Sequence, residues 1–157
     1  MEEYVLDTSA LVAAILGARI YESLMKCRGK YYVASYVLDE LIRRSEKIAS
    51  RIAERSGGNI LEITRSLIVK LTSLYRRLTL VDQDEIVDEK DIEEARKIIA
   101  HRDPKDVPIM ALAIALRKRS KRPCIISLDD DFLEEGPKHG IEVLKRPRCC
   151  HSFIHDL

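Results

Sequence analysis

Tyr4-Val5-Leu6-Asp7-Thr8-Ser9 decides the fold. A short apolar run ends on an acid, and two hydroxyl residues then open a helical pattern. The same grammar recurs at Cys124-Ile125-Ile126-Ser127-Leu128-Asp129. Between these runs, strand-like and helix-like stretches alternate, which implies a parallel sheet covered by helices on both faces. In such sheets ligands bind beyond the carboxyl ends of the strands. Two strand-end acids, Asp7 and Asp129, therefore point to one rim. Two more acids belong there. Glu40 lies in the first turns of a helical pattern, and Asp106 heads the run Val107-Pro108-Ile109-Met110-Ala111-Leu112. Clustered carboxylates repel by roughly 4 kcal/mol per pair at about 4 Å with an effective dielectric near 20. A fold that converges four of them calls for a cation.

Strands are expected at 4–7, 31–34, 80–81, 124–128 and 141–144. Helices are expected from Ala10 to Met25, after a Thr8-Ser9 cap, and from a Ser35 cap to about Arg55, ended by Gly57-Gly58. A helix capped by Asn59 follows, with Ile63, Leu67, Leu71 and Leu74 on one face. Further helices are expected over 88–100, 106–119 and near Phe132, with a final short one after Pro147. The architecture is three-layer α/β/α in one domain spanning 1–157, a length able to bury about two-thirds of its unfolded surface.

No apolar stretch approaches the 18 or so residues of a membrane span. The start, Met-Glu-Glu-Tyr, lacks the basic and apolar segments of a secretory signal. Both readings favour the cytoplasm and no membrane partner. The cysteines Cys27, Cys124, Cys149 and Cys150 lack the density of a disulfide framework and read as reduced thiols. Asn59 and Gln83 are the only side-chain amides, while 34% of residues are charged, a composition expected of a thermophile. The net charge of +1 hides segregation: Arg43, Arg44, Lys47, Arg51 and Arg55 lie on one helix, whereas Asp82, Asp84, Glu85, Asp88 and Glu89 follow one another. Many of these charges serve as solvated helix faces. A basic surface beside an acidic centre also suits a polyanion.

Four segments together resemble the PIN-domain family of metal-dependent ribonucleases. They are Val5-Leu6-Asp7-Thr8-Ser9, Leu38-Asp39-Glu40-Leu41, Asp103-Pro104-Lys105-Asp106 and Ser127-Leu128-Asp129-Asp130-Asp131-Phe132. Ser127 stands where the family usually has Thr, keeping a hydroxyl. The resemblance runs from about residue 4 to about residue 145, and the ordered set is the specific signal. It implies an endoribonuclease that hydrolyses RNA phosphodiester bonds with Mg²⁺ or Mn²⁺. Asp7, Asp106 and Asp129 would be inner metal ligands, Glu40 would close the site, and Asp131 would be a fifth acid. Thr8, Ser9 and Ser127 would orient a carboxylate or a phosphate. The resemblance is to a family that often pairs through helical faces, and the many Ile and Leu among basic residues over 35–78 predict a homodimer through part of that surface. It also raises a toxin role with a cognate antitoxin protein, as in VapC-type members. A housekeeping rRNA- or tRNA-processing nuclease and a non-catalytic RNA- or protein-binding scaffold are the alternatives.

Plain structural readings stand beside these. Asp7 could cap a helix, Glu40 could be a surface acid, and Asp106 could favour a helix dipole. Asp103 fits the capping role better, because Pro104 follows it. Asp130 is expected in solvent. Cys149, Cys150, His151 and His155 invite a zinc reading, which adjacent cysteines disfavour. No G-x-G-x-x-G follows Val5-Leu6, so a dinucleotide-binding enzyme is disfavoured. Thr8-Ser9 stands where a phosphoacceptor receiver domain would need an acid.

Overall fold

The computed structural model describes residues 2–17, 19–119 and 121–148. Five parallel strands form one sheet: β1 (Glu3–Leu6), β2 (Lys30–Ala34), β3 (Leu78–Val81), β4 (Cys124–Ile126) and β5 (Val143–Leu144). Their order is β3-β2-β1-β4-β5. Every residue of β4 is buried, as are Tyr4, Val5 and Leu6 of β1, the pattern of strands covered on both faces.

Eight helices are described: α1 (Thr8–Ile15), α2 (Arg19–Lys26), α3 (Ser35–Ser56), α4 (Ile60–Tyr75), α5 (Gln83–Ile86), α6 (Glu89–Ile99), α7 (Val107–Lys118) and α8 (Asp130–Lys138). The chain runs outward from β1 through β2 to β3, then returns to β4 beside β1 and ends at β5. Right-handed crossovers in opposite directions place α1–α4 on one face and α5–α8 on the other. Contacts between α1 and α3 and between α3 and α4 on one side, and between α6, α7 and α8 on the other, agree. The result is the expected α/β fold with a parallel central sheet.

Local chemistry sets the boundaries. Asn59 caps α4 by accepting the Leu61 and Glu62 N–H groups. Gly57 ends α3 in the left-handed region at φ 67°. In α7 every residue from Val107 to Leu116 except Pro108 is buried, so this helix is a core element.

Some expectations need correction. The helix expected over Ala10–Met25 is two, because Gly17 takes a φ of 86° and breaks the path after Leu16. Ser35 is the first residue of α3, not its cap, and its hydroxyl lies 3.2 Å from Gln83 Oε1. Cys124 is a free, buried thiol as expected, whereas Cys27 is disulfide-bonded and not the reduced thiol expected. The zinc reading at Cys149, Cys150, His151 and His155, and the helix after Pro147, fall outside the described residues. No single helix among the described residues is long and apolar enough to cross a membrane.

Candidate active site

The strand order reverses between β1 and β4, and the crevice at their carboxyl ends is the topological switch point. Register puts Leu6 opposite Ile126, and the Asp7 N–H donates to the Ile126 carbonyl at 3.1 Å. Asp7 therefore leaves β1 alongside Ser127. Its carboxylate does not cap α1, although Asp7 occupies the cap position. Instead, Oδ2 accepts from Ser127 Oγ at 2.6 Å and from Ser9 Oγ at 2.8 Å. The two hydroxyls also take the following turn in hand. The Leu128 N–H donates to Ser9 Oγ and the Asp129 N–H donates to Ser127 Oγ. Ser9 and Ser127 thus tie the two strand-end acids into one structure.

Asp129 caps α8 through the Asp131 N–H at 3.0 Å, and this places Asp131 in the helix's first turn. Asp130 is exposed, as expected. Asp103 caps a single 3₁₀ turn, Pro104–Asp106, by accepting the Lys105 N–H at 3.0 Å. Asp106 itself makes no side-chain cap bond. Its residue is 8% exposed, and Oδ2 is buried with no hydrogen-bond partner among the described residues. Burial, then the charges of Asp129, Asp7, Asp103 and Asp131, push the Asp106 carboxyl up to about 8.

Glu40 reaches the rim from α3. Its Oε2 lies 3.4 Å from the Thr8 hydroxyl, and Oε1 pairs with Arg44 at 2.9 Å. With Arg43, Lys47 and Tyr36 it lines a groove of about 430 Å³. Asp131 is held beside Arg102, whose guanidinium bonds Glu134 and also Glu135, the latter at 3.1 Å, while standing 3.6 Å from Asp131. Burial and Asp129 raise the Asp131 carboxyl, against Arg102.

All the predicted residues occupy one end of the sheet, but not with equal closeness. Among the described residues, Asp103, Asp106 and Asp131 form a group whose oxygens approach within 4.8 Å of one another. Asp7 and Asp129 act on Asp106 through their charge. Glu40 is linked through Thr8. The all-carboxylate donor set and the unpartnered Asp106 oxygen fit a hard divalent cation.

Sequence reasoning missed Tyr36. Its hydroxyl is buried and unpartnered, and burial with the charges of Asp7, Glu40 and Asp106 pushes its titration up. Its position one helical turn before Glu40 was the available signal. Tyr36 also borders a second cavity, of about 560 Å³, shared with Gln83, Val87, Arg96, Pro104 and Val107.

A crystal structure of VapBC2 from Rickettsia felis bound to a DNA fragment from their promoter is similar to this chain, with 18% identity and a TM-score of 0.49. The similarity covers 90% of this chain and 96% of that one. No curated protein matches the sequence. The family model for the PIN domain matches residues 5–139, and on that match the chain belongs to the PIN-domain family.

Proposed function

We propose that this protein is a metal-dependent endoribonuclease, with Asp7, Glu40, Asp106, Asp129 and Asp131 around the cation and Thr8, Ser9 and Ser127 orienting the site. The observation that carries the reading is the contrast between two neighbouring acids. Asp7 is held by two hydroxyl donors, whereas buried Asp106 carries an oxygen with no partner. A buried unsatisfied carboxylate costs free energy unless something neutralises it.

A bound Mg²⁺ or Mn²⁺ supplies charge neutralisation and water activation at such a site. The chain's own residues do the rest. Ser9 and Ser127 fix the Asp7 carboxylate and the Leu128–Asp129 turn, so two acids stay in register. Thr8 orients Glu40 from the adjoining helix. Arg43, Arg44 and Lys47 line the groove that opens beside Glu40 and place positive charge where the phosphates flanking a scissile bond would run. The RNA substrate class is the one that the family resemblance implies.

The test is cleavage of a structured RNA with Mg²⁺, with Mn²⁺ and with EDTA, using wild type and Asp7→Asn. Cleavage should need the cation. Asp7→Asn should lower it by roughly a hundredfold or more, beyond the loss caused by removing a ligand's hydrogen-bonding partner. A variant cutting at the wild-type rate would refute the assignment, since asparagine would serve equally if Asp7 were merely a helix cap.

A further inference from the structure

We propose that Asp103, together with Asp106 and Asp131, ligates a divalent cation, so that Asp103 is a metal ligand and not only a helix cap. The proposal rests on the metal-dependent reading above and extends it to a residue outside the predicted set.

Geometry supports it first. One oxygen from each of the three residues lies within 4.8 Å of the other two. Oxygens on one Mg²⁺ stand about 3 Å apart when adjacent and about 4.2 Å apart when opposed, given bonds near 2.1 Å. The larger Ca²⁺ spans up to about 5 Å. The three carboxylates therefore need only small side-chain rotations to share an ion. Asp106 supplies the second, independent observation. It is nine-tenths buried, and its Oδ2 has no hydrogen-bond partner.

The flanking residues are pre-set. Asp103 is anchored by the Lys105 N–H and by the rigid Pro104 that follows it. A carboxylate has about four acceptor sites, so the single backbone bond leaves room for an ion. Asp131 is fixed in the first turn of α8 by Asp129. The guanidinium of Arg102 approaches Asp131 no closer than 3.6 Å and spends its shorter contacts on Glu134 and Glu135. Arg102 thus guards Asp131 without consuming it. Asp7, by contrast, already has both Ser9 and Ser127 on Oδ2.

Calorimetric titration of the intact protein with Mn²⁺, without RNA, tests the assignment. Asp103→Asn and Asp131→Asn should each lose one equivalent of Mn²⁺ or weaken it by roughly tenfold or more, the scale on which even a ligand's supporting residues act. Asp130→Asn, an exposed neighbour of equal charge, should change the affinity by less than about twofold, because its charge is screened by solvent. Melting in EDTA should leave Asp103→Asn at or slightly above the wild-type temperature, since asparagine caps as well as aspartate and one charge that repels Asp106 is gone. If Asp103→Asn fails to fold, Asp103→Ser, which keeps the cap and removes the carboxylate, carries the test. An unchanged isotherm for the folded Asp103 variant, or an equal loss in Asp130→Asn, overturns the proposal alone. Wild type that binds no Mn²⁺ overturns the metal-dependent reading with it.

Discussion

Replacing Asp106 by asparagine keeps the shape of the side chain and removes a buried ionisable group. Its effect should depend on pH with a definite sign. In the folded, metal-free protein the Asp106 carboxyl is raised to about 8 by burial first, then by Asp129, Asp7, Asp103 and Asp131. In the unfolded chain it titrates near its ordinary value of 3.8. The folded state therefore holds the proton more tightly. The resulting stability is full below about pH 4 and is lost as pH rises toward and through about 8. Each pH unit inside that window removes up to about 1.4 kcal/mol. Between pH 6 and 8 the loss comes to about 2 kcal/mol, or on the order of 5 °C in Tm for a chain of this size.

The assay is thermal melting in EDTA at pH 6, 7 and 8, for wild type and Asp106→Asn. His101 stands exposed 3.6 Å from Glu135 in both proteins, so the quantity to read is the difference between the two. Wild type should lose stability relative to the variant as pH rises. A saturating divalent cation should reverse the order, because it stabilises only a site that retains its charge. Parallel melting curves across this range would show that Asp106 carries no raised proton affinity, and the electrostatic account of the site would fall.

Two further outcomes follow from packing. A Cβ at Gly136 would lie 2.5 Å from Val143 Cγ2 and 2.9 Å from the Ile141 carbonyl, so Gly136→Ala should cost about 1–3 kcal/mol by overpacking α8 on β5. Urea unfolding with an unchanged midpoint would contradict that fit. The exposed Ile42, Leu61, Ile68, Val69 and Tyr75 on α3 and α4 fit the homodimer expected from the sequence, and sedimentation should give twice the chain mass. A monomer at high micromolar concentration would count against it.

What the sequence made legible was local. Asp7 and Asp129 could be placed at strand ends because each closes an apolar run, and the Asn59 cap and the Gly57 stop follow from single-residue backbone chemistry. The break at Gly17 was less legible, since an isolated glycine inside an apolar pattern does not declare its φ. Most of what was missed depends on tertiary approach. Asp103 meets Asp131 only because α6 packs on both α7 and α8. The hold of Arg102 on Asp131, Glu134 and Glu135 likewise spans two elements that no local pattern joins. Tyr36 is conspicuous only once its hydroxyl is seen to be buried without a partner.

The unequal treatment of the acids is itself the physical argument for the site. A protein interior can compensate a carboxylate with donors, and this one does so for Asp7 with two serines reaching from α1 and from the end of β4. It compensates Glu40 with Arg44 and leaves Arg102 near Asp131. Nothing of the kind reaches the buried Asp106 oxygen, although Asp106 sits where the charges of four other aspartates converge. Low local polarity makes such an omission costly. A structural role would be met equally well by an uncharged side chain at the head of α7, which would remove the repulsion and the unpaired oxygen together. The cost has a use if a positive ion, bound at the same crevice in which the sheet topology places a ligand, takes the place of the proton that Asp106 otherwise holds.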